Sequence, residues 1–318
     1  MEVKRAAFAK STMSNILTVW NRYKQFCAIA EVQEVPISSH SLSLFAVYLS
    51  DQVKSPATIR NYLSIIRTWA LIHGIQAPTA SDAGLQYTIK GLTKLMRHQP
   101  KQAAPMTPSI LSQIRTILEL HDSFQLAVWS ALLLGFFLFL RSSNLVPKSE
   151  NSFDTTKQLT VDDIRMDGSA MLVSINWSKT IQSAERVLEI PLLAMPGSPL
   201  CPVTAVAQLL KSVPHKKGSP LLSYTDTFGN LRVLTYGQLS RSLKVLVQSV
   251  GLHPSQFTTH SLRRGGATFA FQSGVQGEAI QKMGDWSSDC YKRYLDSTLE
   301  VRVSVAHTVK RSILSQKS

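Results

Sequence analysis

The chain has 318 residues, enough for two domains at about 150 residues each. With 44% hydrophobic and 17% charged residues it can fill a packed core, which excludes wholesale disorder. The net charge is +14, and residues 1–100 hold 11 Lys and Arg against 5 Asp and Glu while the remainder holds 23 against 15. Both halves are therefore basic, which points to a polyanionic partner that touches both. Cys27, Cys201 and Cys290 are odd in number and lack C-x-x-C spacing, so neither a disulfide framework nor a zinc site is expected and a reducing compartment is the default. The eight histidines show no H-E-x-x-H spacing. The start, MEVKRAAFAK, has no long apolar stretch after its charges, so no secretory signal is expected.

The first 95 residues predict helices. Ser11 is the expected N-cap of one carrying Ile16, Val19, Trp20, Tyr23 and Phe26 at helical spacing. A second is expected over 39–52, with Leu42, Phe45, Ala46 and Leu49 on one face. Ser55-Pro56 opens a third, through Ile59, Tyr62, Leu63, Ile66 and Trp69, and Gly74 ends it. Its polar side holds Arg60, Asn61, Ser64 and Arg67, which suits either a phosphate backbone or plain solvent. A fourth helix is expected over 81–95. RHQPKQAAPMTP, with three prolines and no apolar periodicity, predicts a linker over 97–108. The expected division is a helical domain over 1–96 and a second domain over 109–318.

That second domain opens with a helix over 107–120. LAVWSALLLGFFLFL, Leu126 to Leu140, is 15 apolar residues running into Arg141. It falls short of the roughly 20 needed to span a bilayer, so it predicts a buried core helix ending at Arg141 and no membrane association. LTVDDI, AMLVSINW and VLEIPL, separated by DGS and SKTIQSAE, predict a three-stranded antiparallel sheet. Cys201-Pro202 starts another helix, 235–250 forms one more, and further helices are expected over 275–283, 288–295 and 299–315. The fold class is mainly α with a small antiparallel sheet (α+β).

THSLRRGGATFAFQSG, from Thr259, places His260, Arg263 and Arg264 within five residues, beside Gly265 and Gly266. His260 and Arg263 stand one helical turn apart and share a face. The two glycines permit close backbone approach, and free amides at a helix start favour an anion. Arg141, just past a rigid helix, suits a phosphate held by two hydrogen bonds, or equally the capping of the last carbonyls. Lys179, in WSKTIQ between two strands, can donate a proton into a groove or simply be solvated. Tyr291 and Tyr294 follow in MGDWSSDCYKRYLD. A phenol beside cations can have its pKa lowered from about 10 and become a nucleophile, or else pack in a helix.

The order of these signals is more specific than any one of them. Arg after a buried helix, Lys on a hairpin, H-x-x-R, then G-x-W and Tyr resembles the tyrosine recombinase (phage-integrase-like) family over nearly the whole chain, which implies a helical core-binding, DNA-binding domain over 1–96, a basic linker and a catalytic domain over 109–318. The form G-x-W-x-S-x-x-x-x-x-Y followed by I or L resembles the recombinases of eukaryotic mobile elements, such as DIRS-type retrotransposons and Cryptons. The resemblance implies that Arg141 and Arg263 clamp the scissile phosphate and stabilise the pentacoordinate transition state. It implies that Lys179 protonates the leaving 5′ oxygen, that His260 contacts phosphate and moves a proton, and that Tyr294 is the nucleophile. Tyr294 fits better than Tyr291, standing nine residues after Asp285 and directly before Leu295. Double-stranded DNA is the implied partner, with Arg60, Arg67 and Arg264 as further phosphate contacts. A homotetramer on DNA through the C-terminal helix is implied, and neither cofactor nor metal. The implied location is the nucleus for a eukaryotic mobile element, otherwise the cytoplasm and nucleoid.

Two departures bear on this expectation. The family usually has His or Trp directly after the glycine of the last motif; here Asp285 occupies that slot and Trp286 follows. If Trp286 swings into place its indole N–H can donate to phosphate, whereas an inward Asp285 would oppose phosphate binding. A glutamate often found three residues after the first arginine is Asn144 here. The rival readings are a DNA-binding descendant that no longer cuts, and a type IB topoisomerase. The small helical N-terminal domain and the tail after Tyr294 fit a recombinase better.

Overall fold

The computed structural model describes residues 2–98, 102–178, 181, 186–293, and 303, 307 and 310. The chain separates into two compact units, Met1–Lys101 and Gln102–Ser318. The first contains α1 (Glu2–Ala6), α2 (Lys10–Ile29), α3 (Ser39–Ser50), α4 (Pro56–His73) and α5 (Ala83–Leu95). Its core gathers Trp20, Tyr23, Phe26, Leu42, Phe45, Leu49, Ile59, Leu63 and Ile66. Local rules set most boundaries. The Ser55 hydroxyl accepts from the amide of Ala57, with Pro56 at the first helical position, and Gly74 ends α4 at φ 72°. The α2 start differs from expectation. The helix begins at Lys10 behind Ala9, with no side-chain cap, and Ser11 lies inside its first turn.

The second unit continues with α6 (Pro108–Thr116), α7 (Ser123–Phe137), α8 (Ser142–Leu145), β1 (Ile164–Asp167), β2 (Ala170–Ile175), β3 (Leu188–Leu193), α9 (Pro202–Ser212), β4 (Ser223–Thr225), β5 (Leu231–Val233), α10 (Tyr236–Ser249), α11 (His260–Gln272) and α12 (Gly277–Met283), then a 3-10 turn over Asp289–Arg293. The expected sheet is present as β1-β2-β3, antiparallel, with Ile164 opposite Val173 and Val173 opposite Ile190. LTVDDI is only partly strand. Val161–Asp163 is a 3-10 turn, because the Asp163 carboxylate accepts from both the amide (2.7 Å) and hydroxyl (2.8 Å) of Thr160. The β4-β5 ribbon was not expected; three-residue strands carry too little periodicity to read.

The apolar run is the centre of this unit. Leu126 through Phe136 are all buried, and the core extends from them to α6, α9, α10 and α11. Among the described residues no helix is long and apolar enough to cross a membrane. The helix stops at Phe137, earlier than expected, because Phe139 takes a left-handed conformation (φ 50°). A bulky residue there costs about 1–2 kcal/mol. Phe139 gains burial in a satellite cluster with Ala267, Ile280, Trp286 and Tyr291. Half of the expected linker is also packed. Met106 is fully buried, its amide donates to Ser261 O (2.9 Å), and the Ala104 amide donates to Gln256 O (2.7 Å).

Candidate active site

Three elements of the second unit converge: the turn after α7, the start of α11 and the turn after α12. Arg141 is the N-cap of α8, in extended conformation and half-buried. The left-handed break at Phe139 places it there, two residues past the reversal, rather than in helical continuation of α7. Arg263 is 2% exposed. Its guanidinium donates to the Phe139 carbonyl, and through Nη2 to the Gly284 carbonyl at 2.7 Å. One arginine thus bridges the turn that carries Arg141 and the turn that carries the G-D-W motif.

His260 opens α11 and is exposed at its edge. Crowding by the surrounding protein holds its imidazole below its ordinary value of 6.5, and the guanidinium groups of Arg263, Arg141 and Arg264 push it further down. The ring is therefore neutral at pH 7 and sits in the positive field of three arginines. A dianionic or monoanionic group entering here meets fixed cations, and its own charge would favour protonation of the ring. Contrary to expectation, the first amides of α11 are not open. Those of His260 and Ser261 donate to Thr258, and that of Leu262 donates to Thr259 O.

The glycine pair permits close approach, but to protein. A Cβ on Gly265 would collide with the backbone of Met106, and one on Gly266 with the carbonyl of Phe136. They let α11 seat directly on α7 and on the Ala104–Met106 strip, which fixes the height of His260 and Arg263. Arg264 belongs to the same packing. It donates from Nη1 to Ala103 O at 2.9 Å and is half-buried. That hydrogen bond gives one donor of Arg264 a structural use.

The turn after α12 accounts for the departure in the last motif. Trp286 N donates to Gln281 O (3.1 Å) and Asp285 N to Lys282 O (3.1 Å), the two bonds of a Schellman turn. The left-handed residue such a turn needs is Asp285 (φ 51°), and Asp tolerates that conformation better than most side chains. The turn folds Trp286 back against Gly284, where a Cβ would strike the indole, and lays its ring 3.8 Å from the Arg263 guanidinium. Trp286 is 6% exposed and also neighbours Phe139 and Tyr291. Its face is committed to Arg263 in this structure, a task the sequence reading had not assigned. Asp285 does point inward, at 7% exposed, as the less favourable alternative had it. Its carboxylate is met there by the Ser178 hydroxyl and the Arg186 guanidinium.

Ser178 precedes Lys179, in the β2–β3 connection. Lys179 and Tyr294 lie outside the described residues, as does most of the expected C-terminal helix. Tyr291 is described and buried at 5%, packed in the satellite cluster. Asn144, in place of the expected glutamate, is buried and donates from Nδ2 to Trp177 O at 2.6 Å. The Trp177-Ser178 pair is therefore held from two sides.

In the first unit, Arg60 and Arg67 line one groove of about 510 Å³ between α4 and α5. Arg60 donates to the Thr93 hydroxyl (2.9 Å), and the Nε of Arg67 donates to Pro78 O (3.0 Å). The groove floor is apolar, with Leu63, Leu85 and Ile89, and its rim adds Lys90 and Lys94. Sequence reasoning missed both lysines, although their i, i+4 spacing on α5 was the available signal.

No family model and no curated protein matches the sequence. Solved structures do match the fold. The Tn1549 transposon integrase, in complex with transposon right end DNA, superposes with a TM-score of 0.61 at 15% identity, over 93% of this chain and 94% of its own. The XerH site-specific recombinase, bound to palindromic difH substrate in a post-cleavage complex, gives a TM-score of 0.64 at 15% identity, over 95% and 79%. A lambda integrase dimer bound to a COC′ core site gives 0.58 at 15% identity, over 92% and 91%.

Proposed function

We propose that this chain, whose α+β fold is that of the tyrosine recombinases, cuts and rejoins DNA at specific sites through a 3′-phosphotyrosyl intermediate, in the movement of a mobile element. The observation that carries the reading is the convergence of Arg141, His260 and Arg263, from the α7 turn and α11, on one cationic site. Fixed cations of this kind stabilise the charge that builds on a phosphoryl group in transfer. In the proposed step the Tyr294 oxygen attacks phosphorus and its proton passes to a base, the role assigned to His260. The P–O5′ bond breaks as Lys179 protonates the departing oxygen. A 5′-hydroxyl then attacks the phosphotyrosyl bond, releasing the tyrosine. Bond energy is retained in the intermediate, so no nucleotide is consumed. The same reading carries a homotetramer on DNA, joined through the C-terminal helix, and action wherever the element's DNA resides.

The rival reading, a binding-only descendant, drew its support from Asp285. That carboxylate is paired with Arg186 and Ser178, so it is not an uncompensated negative charge opposing phosphate.

The test is covalent capture from a library of nicked duplexes with randomised sequence around the nick. Protein–DNA adducts that survive denaturation are recovered, sequenced and remade as single substrates. Wild type and Tyr291→Phe should form the adduct and Tyr294→Phe should not. Loss only in Tyr291→Phe would move the nucleophile by three residues. No adduct on DNA that the protein binds would favour the binding-only descendant.

A further inference from the structure

Asp285 stands where the resembling family usually carries His or Trp, and its side chain turns inward, toward the β2–β3 connection. Its carboxylate accepts from the Ser178 hydroxyl and is paired with Arg186. These residues lie at the two ends of that connection, one eight positions after the other. The Ser178 hydroxyl also accepts from the Ile181 amide (3.1 Å). Ser178 and Ile181 exchange backbone hydrogen bonds in both directions, at 3.1 and 3.3 Å. Ile181 is fully buried. Lys179 is next in sequence to Ser178. On the other side, the backbone of Asp285 belongs to the turn that lays Trp286 on Arg263.

We infer that Asp285 is a positioning residue for Lys179: its buried carboxylate ties both limbs of the β2–β3 connection to the turn that holds Arg263. The inference rests on the recombinase reading for what Lys179 does, but the tie itself does not. The tie holds the residue before Lys179 to the turn that supports Arg263, which under that reading limits how far the proton donor can stray from the phosphate clamp. A lysine side chain carries several rotatable bonds, and small displacements at a reacting centre are costly in rate.

The variant that isolates the carboxylate is Asp285→Gly. Glycine occupies the left-handed turn freely, so the Schellman bonds and the seat of Trp286 are retained. On captured duplex with an ordinary 5′-oxygen leaving group, cleavage should fall by about 10²-fold, the size expected for a misplaced general acid. On the same duplex with a bridging 5′-sulfur at the scissile phosphate, it should return to within about tenfold of wild type. A thiolate, with a pKa near 8.5, departs without a donated proton. Lys179→Ala should show the same selective rescue, and Arg141→Ala should not. Equal loss on both leaving groups would place Asp285 with the phosphate clamp and overturn the inference, as would no loss on either. In the free protein, the amides of Ser178 and Ile181 should exchange with solvent at least about tenfold faster in Asp285→Gly, with α7 and α11 unchanged. Unchanged exchange would overturn the tie even if DNA is never cut. A wild type that forms no adduct would instead remove the recombinase reading and leave the exchange result to decide the tie.

Discussion

The guanidinium of Arg263 donates to the Phe139 and Gly284 carbonyls while one face lies against Trp286. Under the proposed function, these contacts fix the group before a phosphate arrives, which is what preorganised electrostatic catalysis requires. His260 reads out the resulting field. Its pKa is lowered by crowding first and by Arg263, Arg141 and Arg264 after it. Because the folded ring binds a proton less readily than the unfolded one, the unfolded state carries more protons below the ordinary value of 6.5. Stability should therefore fall as pH drops through that value, and His260→Asn should flatten this part of the pH profile in urea titrations. Ring-proton NMR across about pH 4–8 should show His260 titrating below its ordinary value. Its midpoint should move upward in Arg141→Ala, and upward again in wild type on addition of inorganic sulfate. A midpoint indifferent to Arg141 would place that arginine outside the site.

At the scale of elements, the site depends on how closely α11 approaches its neighbours. Gly265 lies against the Met106 backbone and Gly266 against the Phe136 carbonyl. Neither obstacle is the end of a flexible side chain, so a methyl group must displace the Ala104–Met106 backbone or a helix. Gly265→Ala should destabilise the second unit by about 3 kcal/mol or more and lower its urea midpoint. Gly91→Ala, in α5 with nothing within 4 Å of its added carbon, should instead stabilise the first unit by about 0.5–1 kcal/mol. The pair of variants separates close packing from helix propensity in one experiment. The same logic explains Phe139. Its strained backbone is offset by burial beside Trp286 and by the bond its carbonyl accepts from Arg263.

For the whole molecule, the relevant quantity is charge. An excess of basic residues in both halves suits a partner with a regular array of phosphates. The α4–α5 groove supplies four basic side chains around an apolar floor, and the second unit supplies the cationic cluster. Under the proposed function, affinity for duplex DNA should fall by about 0.9 log units per tenfold rise in salt for each phosphate neutralised. Replacing Lys90 and Lys94 together by Ala should lower that slope by up to about 1.8 in fluorescence-anisotropy titrations. A slope unchanged by the double variant would remove the groove from the DNA-binding surface.

The amino-acid sequence by itself determined the features that local chemistry controls. Among them are the Ser55-Pro56 start and Gly74 stop of α4, the burial of the 126–136 run and the three-stranded sheet. It also placed Arg141, His260 and Arg263 in one order that a known family shares. Each of these rests on neighbours within a few residues or on a period of hydrophobicity. Only the tertiary structure decided the rest, because the partners are distant in the chain. Arg263 finds its carbonyl 124 positions away at Phe139, and Asp285 finds Ser178 107 positions away. The backbone break at Phe139 has no local signal, since nothing in FFLFLR marks a left-handed residue. Asp285 reads in sequence as a negative charge in a phosphate's place. Packing makes it the left-handed hinge of a turn, with its carboxylate given to a serine and an arginine that only folding could bring there.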